Sequence, residues 1–194
     1  MVAALNRLNI SQWVVSIVRD DNTISPGQAL ATSVTFPPLT KNFDSDARAG
    51  LPGVVPIPLQ FSEQELTISL RGITEDFITE LASRYYKLIK VDISGVGCDM
   101  TDQSEVAVRV VAEGNLMTSL GLELTAQDSA TSEVSIMLNK MHLKIGTTEI
   151  IYDPMNYNYS VNGVNQLAAQ ATLIGITPNT TTDLITGVDN TIVL

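Results

Sequence analysis

The stretch "SEVSIMLNKMHLKIG", Ser132 to Gly146, carries the pattern on which the predicted fold depends. Apolar and polar residues alternate along it, which is typical of a β-strand with one buried face. The stretch is long for one strand, and the alternation changes phase near Asn139-Lys140. A phase change of one residue indicates a β-bulge at that point. The apolar positions before and after the bulge are Val134, Ile136 and Leu138, then Met141, Leu143 and Ile145.

Further strands are predicted on both sides of this one. The segment "TTEIIYD" (Thr147–Asp153) returns as the next strand across a tight turn at Gly146-Thr147-Thr148. Upstream, "ELTISLRG" (Glu65–Gly72) and "KLIKVDISG" (Lys87–Gly95) also alternate, and "EVAVRVVAEG" (Glu105–Gly114) is a β-rich run. The chain is therefore predicted to be mainly β.

One segment switches to the helical period, "TEDFITELASRYY" (Thr74–Tyr86). Thr74 is a natural N-cap, and the acidic Glu75 and Asp76 favour the positive end of the helix dipole. The segment is predicted to be the main helix, packed on one side of a sheet. Its apolar face consists of Phe77, Ile78, Leu81, Ala82 and Tyr85.

A turn and a short second helix are predicted in "VNGVNQLAAQATLIGI" (Val161–Ile176). Asn162-Gly163 is a two-residue turn signal, with Gly accepting positive φ. Asn165 is the predicted N-cap of the short helix, and Gly175 is its predicted stop.

The remaining segments define the domain organisation. Residues 23–62 are rich in Pro and Gly, so we expect extended chain with long ordered loops that contact a partner. No internal repeat or split is visible, so residues 1–176 are read as one domain. Residues 177–194 form a C-terminal extension, either a flexible tail or an added edge strand.

The composition excludes several classes of protein. Apolar residues make up 44% of the 194 residues, enough for a core, and charged residues only 16%, below the roughly 25% of typical domains. The formal net charge of −10 argues against binding DNA or an anionic membrane through the average field. The single cysteine, Cys98, excludes an intrachain disulfide and is expected to be a buried or half-buried thiol. The N-terminus does not read as a signal peptide.

No residue cluster in the sequence carries a recognisable chemistry. The one histidine, His142, is interpreted as a strand-surface imidazole, since its spacing from other ligands suits neither a triad nor zinc. The segment "DSDARAG" (Asp44–Gly50) lacks the glycine and glutamate of a calcium loop. Acidic pairs fall in predicted loops, at Asp20-Asp21 and Asp44/Asp46, and at a helix start, Glu75-Asp76. The prediction is a protein that is not an enzyme and has no metal or cofactor.

Three stretches, in order, resemble the tail tube protein of contractile-tailed bacteriophages. They are "VTFPPLTKNFDSDARAGLPGVVPI" (Val34–Ile57), the block from Glu105–Gly114 through "MLNKMHLKIGTTEIIYDPMNYNYSVNGV" (Met137–Val164), and Val161–Ile176. The chain departs from the family pattern at Asn165, where Asp is usual, and beside Gly114, where Glu113 and Asn115 replace Arg. It also continues for about 18 residues beyond Ile176.

The resemblance implies a small β-sandwich or half-barrel with one flanking helix and a short C-terminal helix. Six such subunits would join their sheets into one closed inner β-barrel, and the rings would stack into a hollow tube. The implied lumen-facing residues are Thr67, Ser69, Arg71, Asp92 and Glu113. The implied contacts between subunits or rings lie in the loop at 40–62 and the hairpin at 115–133, with Asp44, Arg48, Leu51, Val54, Leu116 and Leu120 as candidates.

The resemblance also implies partners and a location. A contractile sheath would cover the tube, tape measure protein and DNA would occupy the lumen without specific binding, and a baseplate and a tail terminator would close the ends. The protein would be part of the virion, assembled in the host cytoplasm, and would not bind membranes directly.

Two alternatives stay open at this point. A tube subunit of a contractile injection system or tailocin would share the fold and the ring. A monomeric β-sandwich that binds carbohydrate would need a row of exposed aromatic residues. Aromatic residues are only 5% of the chain, and Tyr152, Tyr157 and Tyr159 are predicted to cluster in one loop.

Overall fold

The described strands follow one another along the chain, with one helix between the fifth and sixth strands and a second helix after the last strand. The computed structural model describes residues 8–37, 41–46, 55–84, 87–99, 104–117, 131–173, 175, 177 and 184–185. Within these residues the strands are β1 Leu8–Val18, β2 Ile24–Thr35, β3 Lys41–Asp46, β4 Val55–Phe61, β5 Glu65–Arg71, β6 Leu88–Asp99, β7 Glu105–Leu116, β8 Thr131–Ile145, β9 Thr148–Asp153, β10 Asn158–Val161 and β11 Val164–Asn165. The helices are α1 Glu75–Ser83 and α2 Ala168–Leu173, with a 3-10 turn at Pro154–Asn156.

Six strands close into an antiparallel β-barrel, in the order β8-β5-β2-β1-β6-β7, with β7 pairing back to β8. The length of β8 makes this closure possible. Residues 131–137 of β8 pair with β5, residues 136–145 pair with β7, and residues 141–145 also pair with β9. The predicted mainly β fold with one main helix and a short C-terminal helix is confirmed, and the sheet closes within a single subunit.

The predicted β-bulge in β8 is also confirmed. Glu113 of β7 pairs with Lys140, but the next residue, Gly114, pairs with Leu138, so Asn139 is the extra residue. The bulged backbone lies against Gly114, where an added Cβ atom would be 2.0 Å from the carbonyl oxygen of Met137. Only glycine fits there, because the obstructing atom belongs to the backbone and cannot rotate away.

The barrel interior is apolar, as the alternation in the sequence predicts. The inward-facing side chains come from every barrel strand and form one cluster. Phe77 and Leu81 of α1 join the same cluster, and α1 lies against β2 and β1. The most deeply buried barrel residues are Ile17, Leu66, Ile89, Ile93, Val110 and Ile136.

Helix α1 starts where the sequence predicts and ends earlier. The backbone N–H of Phe77 donates to Oγ1 of Thr74 over 3.4 Å, which confirms Thr74 as the N-cap. The same hydroxyl exchanges hydrogen bonds with the backbone of Gln28, which ties the helix start to β2. The helix stops at Ser83, with Arg84 as its C-cap, rather than at Tyr86.

The Pro- and Gly-rich region holds more regular structure than predicted. Its chain is extended, as expected, but it forms the barrel strand β2 and an antiparallel β3–β4 hairpin. The pair Pro26-Gly27 lies inside β2. Strand β1, at the N-terminus, was also not predicted.

The turn at Asn162-Gly163 is confirmed, with φ values of 49° and 80° between the paired residues Val161 and Val164. The predicted N-cap role of Asn165 is wrong in detail. Its Oδ1 accepts the N–H of Leu167 over 2.9 Å, whereas α2 begins one residue later, so Asn165 fixes the turn before the helix. Gly175, with φ of 75°, follows the helix end as predicted. Among the described residues, no helix has the length and apolar character needed to cross a membrane.

We expect Gly114→Ala to destabilise the fold, because the new methyl group would collide with the bulged backbone of β8. The free energy of unfolding should fall by roughly 1–3 kcal/mol, as for other overpacked sites, when measured by urea denaturation. The control is Asn115→Ala, an exposed neighbour on β7, which should change stability by less than about 0.5 kcal/mol. Equal effects of the two substitutions would contradict the role assigned to Gly114.

Candidate assembly surfaces

The closed barrel has two outer walls that face in opposite directions. Strands β5 and β6 are three positions apart in the ring of six strands, so their outward side chains point away from each other. Thr67, Ser69 and Arg71 project from β5, whereas Asp92 projects from β6. The predicted lumen residues therefore lie on two separate outer walls of the subunit, and their position in a lumen stays a prediction.

The first surface, here called the polar wall, is the outer face of β5, of residues 131–137 of β8 and of the end of β2 at Ser33 and Thr35. Its side chains are mostly hydroxylic and, apart from the buried Ser135, at least partly exposed. Thr67 pairs in register with Thr35, and Ser69 pairs with Ser33. The hydroxyl of Thr32 donates to the carbonyl oxygen of Ser69 over 3.2 Å. The remaining outward residues of β5 and β8 on this wall include Glu65, Arg71, Thr131 and Glu133.

The second surface, here called the covered wall, is the outer face of β1, β6 and β7, together with the start of β2 at Ile24 and Gln28. Its centre is an ion pair between Asp92 and Arg109. Nη2 of Arg109 lies 2.6 Å from Oδ2 of Asp92, and Nε lies 3.1 Å from Oδ1. The hydroxyl of Ser94 also donates to Asp92, which is only 4% exposed. Asp92 therefore neutralises Arg109 inside the subunit and does not present a free carboxylate.

Glu113 lies on β7 between two lysines. Lys90 of β6 and Lys140 of β8 are its partners in register. Burial lowers the pKa of Lys90, while the nearby Glu113 carboxylate opposes that shift. The ammonium of Lys90 also donates to Oδ1 of Asn22 over 3.0 Å. Glu113 is thus half-buried among charges of its own subunit.

A second group of charges joins the end of α1 to the β1–β2 turn. Nη1 of the buried Arg84 lies 2.7 Å from Oδ1 of Asp20, and Nε of Arg19 lies 2.8 Å from Oε1 of Glu80. Hydrogen bonding and the charge of Arg84 lower the pKa of Asp20 below its ordinary value. These contacts hold α1 against the end of the barrel. The sequence alone predicted only that Asp20 and Asp21 are an acidic pair in a loop.

The predicted surface position of His142 is wrong. The imidazole is 1% exposed, and its Nε2 lies 2.8 Å from Oε1 of Glu149 on β9. The residue belongs to the outward face of β8, but Val111 and Ile151 are its register neighbours, so it is enclosed. Cys98 is half-buried, as predicted. Within the described residues, no group of three or more His, Cys, Asp or Glu side chains could hold a metal ion.

The predicted contact residues are placed only in part. Asp44 lies in strand β3 rather than in a loop. Leu116 ends β7, and its side chain, 9% exposed, packs in the barrel core, so it is not a loop residue either. The other four candidates, Arg48, Leu51, Val54 and Leu120, lie outside the described residues.

The C-terminal extension contacts the covered wall. Leu184 and Ile185 pack against a small cluster formed by Val18, Ile24 and Val111. Val18 and Val111 point outward from the barrel and are nevertheless 0% exposed. The signal in the sequence was the apolar pair Leu184-Ile185, which directly follows a polar, Thr-rich stretch. The prediction did not include this contact.

The described residues thus form a closed barrel with two outer walls, one mostly hydroxylic and one centred on the Asp92–Arg109 ion pair. The family model described as phage tail tube protein FII matches residues 25–175. Because this match spans more than half of the chain, the protein belongs to the phage tail tube protein FII family. The resemblance to tail tube proteins of contractile-tailed phages is thereby confirmed.

Individual relatives are similar over most of the chain. The tail tube protein of Escherichia phage P2 is 29% identical over 154 residues, which cover 77% of this chain and 89% of that protein. A solved sheath/tube terminator of an extracellular contractile injection system (PVC) covers 73% of this chain and 99% of its own, at 18% identity and a TM-score of 0.48. The crystal structure of an Hcp protein covers 74% and 99%, at 12% identity and a TM-score of 0.46.

We expect Asp92→Leu to cost about 3–5 kcal/mol of folding stability, because it leaves the Arg109 guanidinium without its carboxylate in a mostly buried site. The double variant Asp92→Leu/Arg109→Leu should be more stable than the single variant, since it removes both charges. Chemical denaturation of the unassembled subunit measures both effects. A double variant that loses the sum of the two single losses would contradict a paired role.

The Asp20–Arg84 pair predicts a pH dependence. Since the folded pKa of Asp20 lies below its ordinary value of 3.8, the pair contributes stability above that value and loses it as pH falls through the folded pKa. The difference in Tm between the wild type and Asp20→Asn should therefore be present near neutral pH and shrink in acid.

The matched control repeats this comparison in an Arg84→Met background. There, Asp20→Asn should change Tm by the same small amount at every pH. A pH-dependent difference that survives in this background would assign the effect to another partner.

Proposed function

We propose that this chain forms hexameric rings that stack into the tail tube of a contractile phage, around a hollow lumen that conducts DNA. The observation that carries the proposal is the family match over residues 25–175, which include five of the six barrel strands. The closed barrel supports it, because a subunit without open barrel edges can associate through its walls in a defined way. The tube subunit is a component of the virion and has no catalytic role.

The polar wall is our candidate for the lumen surface, with Thr67, Ser69 and Arg71 at its centre. Hydroxyl groups hydrate well and carry no charge that would hold a phosphate. Glu65 and Glu133 outnumber the single cation Arg71 on this surface. Passing DNA would therefore meet a wet and weakly negative surface, which suits transport without specific binding. Asp92 and Glu113 belong to the covered wall and are left out of this surface.

We further propose how the partners are arranged around these surfaces. Helix α1 and the covered wall would lie on the outside, toward a contractile sheath, while the β3–β4 hairpin and the segment around 118–130 would contact neighbouring subunits or rings. Tape measure protein would fill the lumen before DNA passes, and a baseplate and a terminator would cap the ends. Assembly would occur in the host cytoplasm. Residues 177–194 would act as an extension of the domain formed by residues 1–176.

Electron microscopy of the purified protein at high concentration tests the assembly. Rings and stacked tubes are expected, and addition of the phage's sheath and baseplate proteins should lengthen and order them. Monomers that persist under all of these conditions would overturn the proposal.

Thiol accessibility tests the assignment of the lumen. In a Cys98→Ser background, Ser69→Cys should react with a small maleimide in assembled tubes, but a maleimide linked to a bulky polymer should be excluded from the lumen. In dispersed subunits both reagents should react, because the polar wall is then open. The matched control is Thr79→Cys on the exposed side of α1, which should accept the polymer reagent in tubes. Equal polymer labelling of Ser69→Cys in tubes and in subunits would exclude this wall from the lumen.

A further inference from the structure

The covered wall continues beyond the contact with Leu184 and Ile185 into an open groove. Ile24 belongs to both features: it packs near Leu184 and Ile185, and it lines the groove. The groove measures about 360 Å³, which is within the range of roughly 300–1,000 Å³ typical of binding pockets. Its other lining residues are Val14, Ser16, Gln28, Asp92, Ser94 and Arg109.

The groove carries no net charge, and apolar side chains lie along its β1 and β2 side. Its two charged residues, Asp92 and Arg109, neutralise each other through the ion pair described above. Its apolar surface comes from Val14 and Ile24. Leu30 is the register partner of Val14 on β2, and its side chain is 45% exposed. An exposed leucine beside the partly exposed Val14 is an apolar surface that gains stability when covered.

We propose that the chain's own C-terminal residues fill this groove, with Ile192, Val193 and Leu194 packed on Val14 and Leu30. The contact of Leu184 and Ile185 with Val18 delivers the segment to one end of the groove. Nine residues follow Ile185 in the sequence.

The length of the segment is sufficient for this path. From Val18 to Val14 the strand β1 advances four residues, about 13 Å at 3.3 Å per residue. Nine residues can span up to about 30 Å when extended, so room remains for a turn at Gly187 or Asp189-Asn190. The last four residues, "TIVL", are three β-branched residues and a leucine, which suits packing in an extended conformation along a strand.

The chain's own segment is favoured over that of a second copy, because its anchor is already seated beside the groove. A tethered segment acts at an effective concentration in the millimolar range, above that of any free copy in dilute solution. The inference does not depend on the tube assembly, since both β1 and the C-terminal segment lie outside the matched residues 25–175.

Disulfide trapping in dilute, unassembled subunits tests the proposal. In a Cys98→Ser background, Leu30→Cys/Val193→Cys should form an intramolecular disulfide on mild oxidation with copper phenanthroline, seen as faster migration on a non-reducing gel. The control pair Thr67→Cys/Val193→Cys places the first thiol on the polar wall, where no such product is expected. The native fold of both variants is checked by circular dichroism before oxidation.

Each outcome decides the proposal. Trapping of the Leu30→Cys pair alone supports it. Disulfide-linked dimers in place of the intramolecular product would show that a second copy occupies the groove, and would overturn the proposal. Equal trapping of both pairs, or of neither, would also overturn it. A subunit truncated after Ile185 should in addition bind more of a fluorescent apolar dye than the full chain, and unchanged dye binding would count against occupation of the groove.

Discussion

Closure of the barrel depends on one strand that is long enough to pair with two neighbours on the same edge. Residues 131–137 of β8 bind β5, and residues 141–145 bind β9, while the opposite edge binds β7. The bulge at Asn139 lies between these two halves and shifts the facing of the side chains by one position. The absence of a side chain at Gly114 allows β7 to follow the shifted backbone. Both the barrel and the C-terminal hairpin are therefore joined to the same strand.

Local features of the sequence predicted much of the fold. The bulge, the cap at Thr74 and the turn at Asn162-Gly163 each depend on residues within a few positions of one another, and each was found. Strand β2 was missed because Pro26-Gly27 looks like a break when its pairing partners are unknown. Closure of the barrel within one subunit could not be predicted from local sequence either, because it depends on pairing between segments that are distant in the chain.

The candidate surfaces were harder to predict for the same reason. Alternation places Asp92 correctly on an outward face, but the pattern gives no sign that Arg109, 17 residues away, occupies its carboxylate. His142 also alternates outward and is nevertheless buried. In both cases the environment of an outward residue is set by neighbouring strands. The sequence pattern thus predicts the face of a strand, whereas the wall to which that face belongs depends on the order of strands around the barrel.

The pairing of β1 with β6 has a consequence for synthesis of the protein. Leu8 pairs with Asp99, so the N-terminal strand has no partner on that side until about half of the chain has left the ribosome. Contacts between residues this far apart in the sequence slow folding, because the entropy cost of closing a large loop comes before the stabilisation from strand pairing. The edge of β1 in the β1–β2 hairpin therefore stays unpaired until β6 has been synthesised and pairs with it. The order of synthesis therefore determines for how long each nascent subunit offers a free strand edge to other chains.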